Sequence, residues 1–232
     1  MFLGLSSTPT WDLVEGSWGY RAVEKTALDL YKYGSSRDFG VAAKGTFDEA
    51  GRVGYHVMVG NGSGTKGETN EGKKFMGALS LRPVDGLVLQ VYGDFDDRPG
   101  ATDRTTLQGF AAFEGERGRL GVQYAHQTRE REGEADLELD VASVWGVVEL
   151  SERVRALARW DRLIDPVPDG AKISYVSLDP TDQGNFVLLG LDVAVAERFH
   201  LIPNVEFVTY DEDDGTPRDA DVFLRTTFSI TF

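Results

Sequence analysis

The residues with most chemical potential in this chain are charged. Arg153, Arg155 and Arg159 recur at even spacing, so an extended backbone puts them on one side. Arg119, Arg129 and Arg225 sit at matching positions in other segments. A row of guanidinium groups can hold or guide anions, by the logic of charged rings around a passage. Glu138, Asp140, Asp161 and Asp192 share that side and would cancel much of the field, and the plain alternative is a set of ordinary solvated charges. Gly60-Asn-Gly-Ser-Gly-Thr-Lys66 has the glycines of a phosphate-cradling loop. It lacks Gly-Lys-Ser/Thr and no helical pattern follows, so it reads as a flexible external loop. Asp211-Glu-Asp-Asp-Gly215 is acidic like a calcium loop, but Val222 stands where the closing Glu is needed. A solvated acidic loop is the default there. His56, His126 and His200 lack metal-ligand spacing. Nothing pairs a Ser, a His and an Asp. The expectation is therefore no catalytic residue, no metal and no cofactor.

The elements that position these charges follow from composition and period. The chain has 232 residues, a formal charge of −14, 27 glycines and no cysteine. Its acidity argues against a nucleic-acid partner, which selects for a basic stripe. Without cysteine there is neither a disulfide framework nor a thiolate site. No apolar run is long enough for a membrane-spanning helix. That test is blind to a membrane β-barrel, whose apolar residues alternate with polar ones.

From Asp38 onward the period is two. Phe39, Val41, Ala43, Gly45 and Phe47 fall on one side of a segment, and Asp38, Lys44 and Thr46 on the other. The unit recurs at 38–47, 53–60, 74–82, 87–95, 106–114, 119–129, 138–148, 153–161, 184–196, 199–210 and 220–232, about eleven strands. They are longer than the roughly 5–6 residues usual in soluble proteins. Short connections (48–52, 83–86, 115–118, 149–152, 197–198) alternate with long ones (61–73, 96–105, 130–137, 162–183, 211–219). All tight turns therefore fall at one end, as in transmembrane barrels.

With one parity per strand set outward, the inward side holds Lys44, Lys74, Arg82, Arg119, Arg129, Glu138, Asp140, Arg153, Arg155, Arg159, Asp192 and Arg225. No charge within these spans falls outward, although Lys73, Glu149 and Arg162, just outside them, would break the rule. Tyr55, Phe95, Phe113, Tyr124, Trp145, Trp160 and Phe207 take the outward, apolar parity, as aromatic girdles at a lipid interface would. A soluble β-sandwich or barrel that binds a carbohydrate-type ligand also alternates, and is the competing reading. Basic and acidic residues balance on the inward side. The negative charge lies in turns and loops, mostly the long ones.

Residues 1–37 differ. Trp11, Glu15, Trp18, Tyr20, Arg21 and Lys25 lie in what reads as one long loop with a short helical stretch, ahead of the strand region 38–232. They either line a constriction or tie the loop down by its own aromatics.

Several segments in order resemble the phosphate-selective porin O and P family. They are Trp18-Gly-Tyr-Arg21 with Glu24-Lys-Thr26, Ser35-Ser-Arg-Asp-Phe-Gly-Val41, Tyr55-His-Val-Met-Val-Gly-Asn-Gly62, Glu68-Thr-Asn70 with Lys73-Lys-Phe75, and Thr226-Thr-Phe-Ser-Ile-Thr-Phe232. The resemblance implies an all-β, antiparallel transmembrane barrel of about sixteen strands in the bacterial outer membrane. It implies passive diffusion of small ions or solutes, anions such as phosphate included, rather than catalysis. It also implies contact with lipid and lipopolysaccharide, and a homotrimer. In porins the loop after the fifth strand folds into the lumen, which would be the role of 1–37. Eleven strands, with no signal peptide at Met1, would then be the C-terminal part of such a barrel, an open sheet with unpaired edges that forms no normal pore alone.

Overall fold

The computed structural model describes residues 1–173, 175–176, 178–211 and 219–230. The closing Thr231-Phe232 and most of the acidic stretch 211–215 lie outside them. Twelve antiparallel strands form one sheet in sequence order: β1 (Phe2–Ser7), β2 (Arg37–Thr46), β3 (Val53–Gly60), β4 (Lys74–Leu81), β5 (Leu87–Asp96), β6 (Arg104–Gly115), β7 (Gly118–Arg129), β8 (Leu137–Ser151), β9 (Val154–Leu163), β10 (Gly184–Ala196), β11 (Phe199–Tyr210) and β12 (Asp221–Ile230). Each strand pairs with its neighbours in sequence, and β1 and β12 are the open edges. Two short helices, α1 (Trp11–Trp18) and α2 (Ala27–Leu30), lie between β1 and β2.

β1 is one strand more than the period-two pattern suggests, and it replaces the first residues of the expected loop. Leu3 pairs with Val41 and Leu5 with Phe39, so its apolar side continues that of β2.

The outward face is a lipid-type surface. Val57, Phe75, Leu79, Val91, Leu107, Val122, Leu189 and Leu224 are all exposed. The inward face meets the inserted segment 8–36 and the described residues after β9, among them Val167, Ile173 and Leu178, and the core sits between them. Trp11, Val14 and Trp18 share the buried side of α1. The helix ends at Gly19, whose left-handed φ of 73° lets its N–H reach the Glu15 carbonyl at 2.7 Å.

β8 turns the other way from the expected parity. A β-bulge between Glu149 and Ser151 inserts one residue, so Glu149 faces Arg155 while Ser151 faces Val154. One extra residue exchanges the faces of the strand beyond it. Leu139, Val141, Ser143, Trp145 and Val147 therefore point inward and are buried. Glu138 and Asp140, expected inside, face outward beside Thr128 and His126 of β7. Trp145, expected in the outer girdle, packs against Trp18 in the interior. Arg162 lies within β9 on the outward parity, near its long-loop end, where it pairs with Asp211 at 2.5 Å.

Candidate pore interior

The inserted segment is fastened to the wall by neutral polar groups that a charge-based reading passes over. Thr10 donates to Gln90 Oε1 at 2.6 Å and accepts from Gln108 Nε2 at 2.6 Å, and Gln123 donates on to Gln108 at 2.5 Å. Gln127 donates to the Tyr33 carbonyl at 2.7 Å and to Thr106 at 2.8 Å. These glutamines are buried and inward on β5, β6 and β7. Buried amides must be paired, so they fix the register of the segment against the wall. Thr10 holds a φ of 76°, unusual for a β-branched residue. Its two side-chain bonds help to hold that conformation.

Of the residues expected in the constriction, Trp11, Trp18 and Tyr20 dock on the wall, while Glu15, Arg21 and Lys25 pair within the segment. Trp11 meets Tyr92 edge-on at 5.9 Å. Trp18 donates to the Glu24 carbonyl at 2.9 Å and contacts Trp145 at 5.6 Å. Tyr20 donates to Asp192 at 2.9 Å, and Asp192 also holds His200 at 2.6 Å. Burial and then this carboxylate push the Tyr20 hydroxyl up to about 12. Arg21 pairs with Glu15 and with Asp29, the latter at 2.9 Å, and Lys25 lies 3.7 Å from Asp29.

Of the wall charges, most are spent on structure. Lys44 reaches Asp12 of α1 at 3.1 Å. Burial pushes the Asp12 carboxyl up, but the Ser7 hydroxyl and Lys44 outweigh it and hold it below the usual range. Lys74 pairs with Asp94 at 3.0 Å. Arg129 reaches Asp169 at 2.9 Å, and Arg159 grips Asp161 through two bonds of 2.8 and 2.5 Å. Arg119 donates to the Trp18 carbonyl at 2.9 Å. Arg225 is bound to Glu206 and to the Tyr175 carbonyl. Arg155 is inward on β9 near the short turns, and Arg153 lies in the turn between β8 and β9. The six arginines of the expected anion track are thus spread through the interior and its short-turn end, and do not form one row.

Among the described residues, interior cavities open at both ends. At the long-loop end a space of about 450 Å³ is lined by Lys32, Lys66, Lys74, Arg98, Arg104 and Lys172 against Asp38, Asp96 and Asp169. Lys32, Lys66 and Arg104 form no ion pair among the described residues. The glycine-rich loop at 60–66 helps build this rim, with the Gly62 N–H donating to Asp38 at 2.7 Å. At the short-turn end a space of about 520 Å³ holds Arg52, Arg82 and Arg119 with Asp85 and Glu114. Leu13, Ser17 and Trp145 form part of its wall, so the inserted segment stands between the two cavities.

On the outer face His126 contacts Asp140 through Nδ1 at 3.0 Å and Glu138 through Nε2 at 2.9 Å. Thr128 donates its hydroxyl to Glu138 at 2.9 Å. The Thr128 hydroxyl also lies 3.4 Å from His126 Nε2, so Asp140, His126, Thr128 and Glu138 form one polar cluster on this face. Among the described residues no group of three potential ligands is arranged for a metal ion.

No protein-family model matches the chain, and no curated protein sequence does. Solved structures do. The loop L8 deletion mutant of OmpT, an outer membrane protein of Vibrio cholerae, superposes with a TM-score of 0.64 at 14% identity, over 97% of this chain and 74% of that one. The anion-selective porin from Comamonas acidovorans gives 0.65 at 11% identity, over 99% of this chain and 69% of that one. The fold is that of the outer-membrane β-barrels, seen here as an open sheet.

Proposed function

We propose that this protein is a porin-like channel of the bacterial outer membrane, a passive path for small ions and solutes that favours anions, phosphate among them. The observation that carries this reading is the pair of cationic cavities at the two ends of the barrel interior, separated by the inserted segment. Lys32, Lys66 and Arg104 offer uncompensated positive charge at the long-loop mouth, taken as extracellular because long loops lie outside in such barrels. Fields inside a low-dielectric mouth concentrate counter-ions there. Lys44, Arg82, Arg119, Arg155 and Arg225 would line the path, braced by the buried Lys74, Arg129, Arg159 and Asp192, with residues 8–36 as its constriction. Kinship with the phosphate-selective O and P porins rests on the short segments that resemble that family. A homotrimer embedded in lipid and lipopolysaccharide is part of the same reading. The exposed apolar face, continuous from β2 to β12, weighs against a soluble ligand-binding barrel.

The test is the reversal potential of the purified outer-membrane protein in a planar bilayer under a KCl gradient. The reading expects anion preference, reduced by Lys66→Glu with Arg104→Glu. Strong cation preference of the conductance, or a preference unmoved by the two substitutions, would contradict it.

A further inference from the structure

One buried cluster is used by neither the wall nor the mouths. Glu24 of the inserted segment is 2% exposed and Glu206 of β11 is 0% exposed. Glu24 Oε2 and Glu206 Oε1 are both enclosed and have no hydrogen-bond partner among the described residues. Their other oxygens are held. Glu24 Oε1 accepts from the Lys25 N–H at 2.7 Å and the Tyr175 hydroxyl at 3.1 Å, and Glu206 Oε2 accepts from Arg225. Tyr175 joins the two sites, because its carbonyl accepts from the same Arg225.

Charge does not balance here. On β9, Arg159 is committed to Asp161 and to the Lys25 carbonyl, and Asp161 also accepts from Tyr31 at 2.6 Å. Lys25 leans toward Asp29. Among the described residues that leaves Arg225 of β12 as the one guanidinium bound to either glutamate, while Glu24 is near enough for its charge to bear on Glu206. Two ionised carboxylates facing one arginine, out of water, carry a surplus negative charge that burial makes costly.

We propose that Glu24 and Glu206 hold one proton between them, and that this proton docks the inserted segment against the wall, so that its loss at rising pH releases the segment. Burial raises the Glu24 carboxyl above its ordinary range, outweighing the Lys25 amide, Arg159, Tyr175 and Arg225. An acid that binds its proton more tightly when docked favours the docked state at low pH, and this advantage fades as pH climbs through the raised value. His200 lies beside the segment, bound to the same Asp192 that accepts from Tyr20, so the test must separate it.

Hydrogen exchange of the amides of residues 20–31, corrected for intrinsic rates, reads docking whether or not the channel conducts. With the purified protein in detergent, protection should fall at least about tenfold between about pH 5.5 and about pH 8.5. Glu24→Gln and Glu206→Gln mimic the protonated form and should keep the low-pH protection throughout, while His200→Gln should retain the wild-type profile. A flat wild-type profile, glutamine variants that follow wild type, or protection set by NaCl at fixed pH would overturn the proposal. Should the variants misfold, infrared spectroscopy of the wild type decides. A protonated-carboxyl band that persists above the ordinary glutamate range is expected, and its absence at about pH 6 would refute the shared proton.

Discussion

Replacing Trp18 by Ala is the sharpest probe of how the interior is filled. The indole is 0% exposed, stands 5.6 Å from the rings of both Tyr20 and Trp145, and has the Arg159 guanidinium 5.9 Å from its ring. Truncating a buried Trp costs about 3–5 kcal/mol. Aromatic pairing and the bond to the Glu24 carbonyl are part of what is lost. Trp145, in contact with Trp18, borders the short-turn cavity, so the emptied site has room to relax and the lower part of that range applies, about 3 kcal/mol. That free energy multiplies the undocked population of the segment by roughly a hundred- to two-hundredfold. Hydrogen exchange across residues 11–30 should accelerate by that factor, and open-channel dwell times should lengthen. The backbone ladder of β2–β12 does not include Trp18, so heat-modifiable gel mobility should not change. Less than about a tenfold change in exchange would mean that the Trp18–Trp145 contact does not hold the segment, and the account of the interior would fail.

Three further outcomes follow from the same geometry. Val122→Arg puts a charge on the outward side of β7 and should cost about 2–4 kcal/mol if it lies near the bilayer midplane, read by urea unfolding from lipid vesicles; an unchanged transition would mean that this face does not meet lipid. Tyr20→Phe removes the hydroxyl that Asp192 accepts and should weaken docking by about 1.5–3 kcal/mol, measured by exchange of the segment amides; no change would remove Asp192 as an anchor. Gly121→Val sets a side chain against the Trp145 ring and should cost about 1–3 kcal/mol while lowering tryptophan burial in fluorescence quenching; quenching identical to wild type would contradict the inward placement of Trp145.

The period of two makes most of β2–β12 legible because one face of nearly every strand is apolar along most of its length and a one-residue slip would put charge there. β1 is not legible in the same way. It has six residues, its outward apolar side rests on Leu3 and Leu5 alone, and its inward Phe2 blurs the alternation. The parity of β8 fails for two linked reasons. The rule that charge points inward assumes a solvated lumen, but Val141, Trp145 and Val147 are buried on the side filled by the inserted segment. The bulge at Glu149–Ser151 then supplies the register shift that lets them do so. A signal was present in the pairing of Gly121 with Trp145, where a glycine leaves room for the indole across the strands. The aromatic and charged residues of the inserted segment are identifiable by type, yet the glutamines that anchor the segment carry no charge and escape a search for chemistry. The cationic mouth draws on loop residues such as Lys66 and Lys172, whose proximity no strand period can reveal.

The central claim is a lipid-facing wall around an interior filled by residues 8–36, and β8 tests it most directly. Nitroxide labels at residues 141 to 144, one at a time, would be scanned for accessibility to oxygen in lipid and to a water-soluble nickel chelate. The account predicts high oxygen accessibility at Ala142 and Val144, with both reagents excluded at Val141 and Ser143. The opposite phase, or nickel access at Ala142 and Val144, would contradict it.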